Sequence, residues 1–263
     1  MHKDKISNKN KVYFNKKGQV TIFIIIALVI VILAVLAYLF VPRIIKSIRG
    51  LEENPNQFIQ GCLQEEFETI VEKISLQGGS LNPEHYYMYN DSSIEYLCYT
   101  NQYYLTCVVQ QPLLKQHIEN EIAIALKDKI DSCFESLDEE FTSQGYEVSL
   151  TKGTYDIELL PKRIIVKTNS NLALNKEATE RFVAMQIIFN NNLYELTSIA
   201  NSIINSEATI GSAETTVYMT YYKDLKVEKY KQSDGTTIYI LTDRNTEDKF
   251  QFASRSVAWP SVY

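Results

Sequence analysis

The chain has 263 residues and a formal net charge of −6 at pH 7, and this charge is divided unevenly. Residues 1–49 carry +8 and residues 50–263 carry −14, which argues against nucleic acid or anionic lipid as a partner of the larger part. The 18 Tyr and 11 Phe, against nine Gly and six Pro, exclude a disordered stalk and indicate one or two folded domains.

An uncharged, apolar run of 22 residues extends from Val20 to Val41. About 20 such residues in a helix span the roughly 30 Å hydrocarbon core of a bilayer. The run is longer than the apolar core of a secretory signal, and no Ala-x-Ala-like cleavage site follows it. The sequence therefore predicts one transmembrane helix at residues 20–42, which places the protein in the cell membrane.

The flanks of this run predict its orientation. Six lysines and one aspartate lie in residues 1–19, whereas three basic residues follow the run before Gly50. The excess of positive charge before the helix favours a cytoplasmic N-terminus. Residues 1–19 are then a basic cytoplasmic leader, and the C-terminal domain is extracellular.

Residues 50–140 predict two amphipathic helices with a cysteine-bearing hairpin between them. The first helix covers about residues 57–76, is capped by Asn56, and ends at a Gln-Gly-Gly sequence in which glycine tolerates the left-handed cap conformation. Residues 93–99 and 103–109 are rich in Tyr, Val and Cys and indicate a β-hairpin.

Pro112 opens the second of these helices, which reaches Leu137. Its apolar residues recur every three or four positions and its other face is charged, as in helices that pack on a core. The members of this stripe are Leu114, Ile118, Ile122, Leu126, Ile130, Cys133 and Leu137.

From Tyr146 onward the hydrophobic period changes to that of strands. Strands are predicted at residues 147–150, 155–160, 163–174, 180–189, 225–230, 236–242 and 249–254, with one helix at about 191–205. Residues 180–189 could instead begin a long helix, although we favour the strand, and residues 216–222 are ambiguous. Helices and strands segregate into blocks without a βαβ alternation. The predicted fold class is therefore α+β, with the transmembrane helix followed by helices packed on an antiparallel sheet, and residues 146–263 form its antiparallel part.

The four cysteines, Cys62, Cys98, Cys107 and Cys133, all lie on the predicted extracellular side. An even number in an oxidising space indicates two disulfides, and four cysteines allow three connectivities. We favour Cys98–Cys107, which flanks a short hairpin, and Cys62–Cys133, which joins the apolar faces of two helices. Buried free thiols are the alternative.

The junction Lys16-Lys17-Gly18-Gln19-Val20-Thr21-Ile22-Phe23 resembles the class III signal peptide of archaeal type IV pilin-like proteins. The resemblance implies cleavage between Gly18 and Gln19, after which the apolar helix stays on the mature protein and, in pilins, packs into a filament core. Pilins usually carry Glu at the fifth mature position, where this chain has Phe23.

More broadly, the sequence resembles a group of uncharacterised single-pass archaeal membrane proteins. The shared features are the Lys-Gly-Gln-Val-Thr-Ile-Phe-Ile-Ile start, a cysteine-bearing helix ending in Gln-Gly-Gly, and a Tyr-rich stretch followed by another cysteine-bearing helix. This resemblance covers most of the chain and implies no known activity.

Other motifs are weak. Asn90-Asp91-Ser92 is a glycosylation acceptor sequon on a predicted loop. Carboxylates crowd the end of the second amphipathic helix, where charged residues normally form the solvated face; they are Asp128, Asp131, Glu135, Asp138, Glu139 and Glu140.

Nothing in the sequence predicts a metal or cofactor. The chain has no Cys-x-x-Cys pair, its three histidines (His2, His85 and His117) are scattered, and no nucleophile elbow or phosphate-binding loop is present. We therefore expect no cofactor, no metal, no catalytic residue and no nucleic-acid partner.

These observations predict a membrane-anchored cell-surface protein with a structural or protein-interaction role and no catalytic activity. Its expected partners are the lipid bilayer, through the run from Val20 to Val41, and proteins or further copies of itself outside the cell. One alternative is a pilin-like filament subunit processed between Gly18 and Gln19. A second is an extracellular hydrolase using carboxylates, which folding can assemble without a linear signature.

Overall fold

The computed structural model describes residues 24–32 and 54–260. The chain divides into two compact units, Met1–Glu53 and Asn54–Tyr263. In the first unit, residues 24–32 are helical (α1) and their Ile, Leu and Val side chains are exposed. The rest of the predicted transmembrane helix lies outside the described residues, and within the described ones no helix has the length and apolarity needed to span a bilayer.

The second unit contains four helices and twelve strands among its described residues. The helices are α2 (Pro55–Leu76), α3 (Leu114–Ser143), α4 (Leu193–Ile210) and α5 (Thr215–Tyr221). The strands are β1 (Tyr86–Tyr89), β2 (Ser92–Tyr99), β3 (Val108–Val109), β4 (Glu147–Thr151), β5 (Tyr155–Leu160), β6 (Arg163–Thr168), β7 (Asn171–Asn175), β8 (Thr179–Val183), β9 (Gln186–Asn190), β10 (Leu225–Lys231), β11 (Thr236–Asp243) and β12 (Lys249–Arg255).

Helix α2 starts earlier than predicted. Asn54, not Asn56, is its N-cap: the side chain of Asn54 accepts a 3.0 Å hydrogen bond from the Asn56 amide. Pro55 fits the first turn because that turn needs no amide donor. The helix ends as predicted, with the Gly79 amide donating to the Ile74 carbonyl at 2.9 Å.

Helices α2 and α3 pack against each other along their apolar faces. Nine residues of α3 are buried at three- to four-residue spacing, which includes the whole predicted stripe. A disulfide joins Cys62 of α2 to Cys133 of α3, and the second disulfide joins Cys98 to Cys107. These are the two pairs that the sequence analysis favours.

The largest sheet has six strands in the order β1-β2-β12-β11-β10, with β3 also paired to β2. The predicted hairpin of residues 93–99 and 103–109 is only partly correct, since only Val108 and Val109 pair with β2. The antiparallel hairpin partner of β2 is β1, which pairs with Ser92–Glu95 and is joined to it by a turn at Asn90 and Asp91. Both turn residues have positive φ, as a two-residue hairpin turn requires.

The prediction of an antiparallel sheet is wrong at one pair of strands. Strands β2 and β12 run parallel, so this sheet is mixed. A parallel pair needs a long connection, and the chain between β2 and β12 contains most of the domain. The α+β class itself is confirmed.

Strands β4 to β9 form a three-stranded meander that bends in its middle. The predicted strands 163–174 and 180–189 each break there, giving the sheets β4-β7-β8 and β5-β6-β9. The ladder continues through the bend, because the Thr168 amide donates to the Met185 carbonyl (2.9 Å) and the Ala184 amide to the Ser170 carbonyl (3.3 Å). At the bend the backbone of Gly153 packs against the backbone of Asn169. A Cβ atom at position 153 would lie 2.2 Å from the Asn169 carbonyl oxygen, so only glycine fits there.

One continuous hydrophobic core joins both halves of the domain. It contains the inner faces of α2, α3 and α4 together with residues from the meander and from the largest sheet. Phe67 of α2 stacks on Phe189 of β9 with ring centroids 3.8 Å apart. The helical part and the strand-rich part that the sequence separates therefore share their interior.

We predict that removing Cys62–Cys133 costs more stability than removing Cys98–Cys107. The first bridge closes 71 residues and the second nine, so loop entropy gives about 4 kcal/mol for the first and about 3 kcal/mol for the second. Urea unfolding of the paired Cys→Ser variants, followed by circular dichroism, measures both. An equal or reversed order would show that chain entropy does not decide the contribution of these bridges.

Candidate interaction surface

The sequence-predicted sites lie apart from one another. Gly18 and Gln19 are outside the described residues. Asn90 is exposed in the β1–β2 turn with φ near 47°, so its side chain is open to solvent. The four cysteines form two separate bridges, one between helices and one at the end of β2.

The acidic residues at the end of α3 lie along its solvent side. Five of the six are exposed and Glu140 is half-buried. Lys152 approaches one of them, Glu135, at 2.9 Å. Within the described residues no group of three or more potential metal ligands comes together.

His117 belongs to a hydrogen-bonded cluster that the sequence analysis missed. Its Nε2 lies 2.7 Å from Ser80 Oγ, and the Ser80 hydroxyl donates in turn to Glu95. Because a hydroxyl has one proton, His117 must donate the other bond. Ser80 and Glu95 are buried, and the cluster ties the end of α2 to β2 and α3. Glu95 and His117 lie 15 and 37 residues from Ser80 in the sequence, so no local sequence pattern predicts this cluster.

A second missed cluster surrounds the buried carboxylate of Glu207 on α4. It accepts hydrogen bonds from the hydroxyls of Tyr239 and Ser254, the latter at 3.3 Å, and Lys229 Nζ lies 3.9 Å away. Burial, with the nearby Glu207 charge, raises the pKa of Tyr239 well above its usual range. The hydroxyl of Ser256 donates to the Glu207 carbonyl (2.8 Å) and accepts from the Cys107 amide (3.0 Å).

The bonds around Glu207 thus anchor the base of the loop closed by Cys98–Cys107. This loop, the adjoining Val108 of β3 and the chain after β12 present five large apolar side chains to solvent. We call this set the aromatic loop surface: Tyr103, Tyr104, Leu105, Val108 and Trp259. Each is at least 47% exposed, and Trp259 is 64% exposed.

The rings of this surface are ordered against one another. Tyr104 meets Trp259 edge to face, with centroids 5.1 Å apart and planes at 83°, and Tyr103 lies 6.5 Å from Tyr104. The guanidinium of Arg255 lies 5.5 Å from the centre of the Tyr103 ring, within the range of a cation–π contact. Arg255 also donates to the Thr100 carbonyl at 2.5 Å.

Backbone hydrogen bonds hold the loop to the C-terminal segment. The Tyr104 amide donates to the Ala258 carbonyl at 3.0 Å, and the Val257 amide donates to the Leu105 carbonyl at 2.8 Å. Tyr104 and Val257 have φ of 62° and 45°, which costs on the order of 1–3 kcal/mol for each non-glycine residue. The hydrogen bonds to the C-terminal segment stabilise this backbone conformation, so the loop has a defined structure.

An ordered, exposed aromatic surface is suited to protein binding. Tyr and Trp provide a large contact area with few rotatable bonds, and both are enriched at interfaces. Because the rings are already held by their neighbours, little side-chain entropy is lost when a partner covers them.

The chain matches no protein-family profile, no curated protein and no solved structure.

Tyr96, a buried residue of β2, gives a prediction about alkaline stability. Tyr96, which contacts Tyr99 with ring centroids 4.9 Å apart, donates to or accepts from the Thr236 hydroxyl at 2.8 Å. Burial raises its pKa from 10.0 to about 12. Between these two values the unfolded chain loses the proton and the folded chain keeps it, so stability that is complete below pH 10 falls as pH rises toward 12.

We expect Tyr96→Phe to flatten this alkaline fall by about 1.4 kcal/mol per pH unit, the contribution of one proton. The free energy of unfolding between pH 9 and 11.5 measures the slope. Tyr221→Phe is the matched control because Tyr221 is 79% exposed, and its slope should equal that of the wild type. Equal slopes for all three proteins would contradict the assignment to Tyr96.

Proposed function

We propose that this protein is a membrane-anchored cell-surface protein that binds other proteins through the aromatic loop surface. The anchor in this proposal is the apolar run from Val20 to Val41, with residues 1–19 in the cytoplasm and the acidic α+β domain outside the cell. The exposed, ordered rings of Tyr103, Tyr104 and Trp259 carry the interaction part of the proposal.

Two features support the anchored arrangement. The helical residues 24–32 expose their apolar side chains, and side chains of this kind are suited to lipid or to packing against another helix. The two disulfides of the domain fit an oxidising compartment, since disulfides are rare where glutathione keeps thiols reduced.

The alternative proposal is a pilin-like filament subunit. The Lys17-Gly18-Gln19 junction favours it, because a prepilin-type cut before Gln19 would leave the apolar run at the start of the mature chain. In that arrangement the run would pack with copies of itself, and the aromatic loop surface would lie on the outer domain.

The mature N-terminus separates the anchor from the filament subunit. Intact mass and terminal sequencing of the protein from its native membrane should give a start at or near Met1 for the signal-anchored form. A start at Gln19, together with sedimentation of the protein in sheared surface material, would favour the filament subunit. Protease treatment of intact cells should digest the outer domain in both cases, and full protection of that domain would contradict the proposed orientation.

The interaction role predicts a contact at Tyr104. A photo-crosslinking amino acid placed there should give a defined adduct with one protein in intact cells, and Trp259→Ser should reduce its yield at least fivefold by removing a central aromatic anchor. The same crosslinker at Tyr221, an exposed tyrosine on α5, is the control and should give no adduct of that mass. Equal adducts at both positions would show that the aromatic loop surface has no special role.

A further inference from the structure

A cleft of about 640 Å³ lies between α2, strand β9 and the β11–β12 loop. Its volume is in the range of sites that hold small ligands or peptide segments. One wall is Gln60, Gln64, Glu68 and Glu72 of α2, and the opposite wall is the end of β9 with Thr246 to Lys249. This cleft is separate from the aromatic loop surface, with which it shares no residue.

The open edge of β9 faces this cleft. Strand β9 is the last strand of the sheet β5-β6-β9. Two backbone hydrogen bonds at the ends of the β6–β9 ladder show which β9 residues are bonded to β6: the Thr168 amide donates to the Met185 carbonyl, and the Asn191 amide donates to the Lys162 carbonyl. In an antiparallel ladder every second residue is bonded to the neighbouring strand. With the observed register, the β9 residues between Met185 and Asn191 that bond to β6 are therefore Ile187 and Phe189.

It follows that Ile188 and Asn190 direct their backbone amides and carbonyls away from β6. A side-chain contact agrees with this assignment, because Gln60 Nε2 donates to the Ile188 carbonyl from the α2 side at 2.9 Å. A single glutamine thus covers one acceptor of an edge that another strand could pair with. Unpaired edges of this kind are templates for strand addition.

The side chains around the edge select the chemistry of the added strand. Ile188 is 42% exposed although it is apolar, so it offers an aliphatic contact. Four carboxylates and one ammonium group line the cleft; they are Glu68, Glu72, Glu247, Asp248 and Lys249. Asp248 is occupied with the N-terminus of α4, since it accepts from the Asn192 amide at 3.0 Å.

The remaining carboxylates, Glu68, Glu72 and Glu247, belong to exposed residues on both sides of the cleft. Negative charge on both walls favours a cationic guest and disfavours an acidic one. We propose that this cleft binds an extended, lysine- or arginine-rich segment of another polypeptide, which adds to the edge of β9 as a strand. Main-chain hydrogen bonds would supply affinity, and the glutamates would supply selectivity for basic side chains.

The test uses the full-length chain in neutral detergent and a fluorescein-labelled eight-residue peptide of alternating Val and Lys, followed by fluorescence anisotropy. We expect saturable binding that weakens with salt. An alternating Val and Glu peptide should not bind, and N-methylation of every second backbone nitrogen of the Val–Lys peptide should weaken binding at least tenfold, because it removes the donors for the edge.

Two variants address the two halves of the proposal. Glu72→Gln with Glu247→Gln should weaken binding by roughly fivefold, the effect of two exposed ion pairs. Glu65→Gln with Glu66→Gln removes the same charge from exposed positions of α2 that do not line the cleft, and it should leave binding unchanged. Ile188→Pro removes an edge amide that β6 does not use and should abolish binding.

Equal weakening by the cleft and control pairs would reduce the interaction to general charge attraction and overturn the proposal. So would the absence of binding up to about 1 mM peptide. A wild-type dimer that Ile188→Pro dissociates, without peptide binding, would assign the edge to self-association instead. None of these results depends on the aromatic loop surface, so Trp259→Ser should bind the peptide as the wild type does.

Discussion

The packing of α2 against α3 is the contact on which the rest of the domain that begins at Asn54 depends. Cys62–Cys133 fixes the two helices side by side with Cα atoms 5.8 Å apart. The buried face of α2 then meets β9 through Phe67 and Phe189, and α3 meets the meander, where the Tyr155 hydroxyl donates to the Ala123 carbonyl at 2.9 Å. Without this pair, the meander would lose the apolar helix surface on which it packs.

The meander bends at its middle, where the Gly153 backbone comes close to Asn169, and each half forms its own sheet. In the half formed by β5, β6 and β9, the last strand lies beside α2. Gln60 of α2 donates one side-chain hydrogen bond to the edge of β9 at the Ile188 carbonyl, and this edge lines the cleft.

Sequence patterns predicted those features of the fold that are determined by residues close together in the chain. The stripe on α3, the end of α2 at two glycines and the Cys98–Cys107 bridge depend on spacing along a short segment, so they could be read from the residues themselves. The Cys62–Cys133 bridge spans 71 residues, and the sequence favours it because each cysteine lies on the apolar face of its own amphipathic helix. The bend could not be predicted, because the alternation of residues 163–174 continues through it. The parallel pairing of β2 with β12 joins residues 156 or 157 positions apart, such as Tyr96 and Ala253, and no periodicity of the sequence records such a pairing.

The candidate surfaces show the same limit. The abundance of tyrosine was evident, yet which rings are exposed depends on the C-terminal segment that holds Tyr104 and Leu105. The contact of Gln60 with Ile188 spans 128 residues, and the Ser80, His117 and Glu95 cluster unites three elements. In each case the functional candidate arises where distant segments meet, so only the fold reveals it.

The two proposed binding sites, the aromatic loop surface and the β9 cleft, would select partners by different physics. The first presents rings and aliphatic side chains, so its affinity for a partner would come mainly from apolar burial and would change little with salt. The second presents backbone donors and acceptors between two acidic walls, so its affinity includes a charge contribution that salt screens. Raising the ionic strength should therefore release a guest of the cleft while a guest of the aromatic loop surface stays bound.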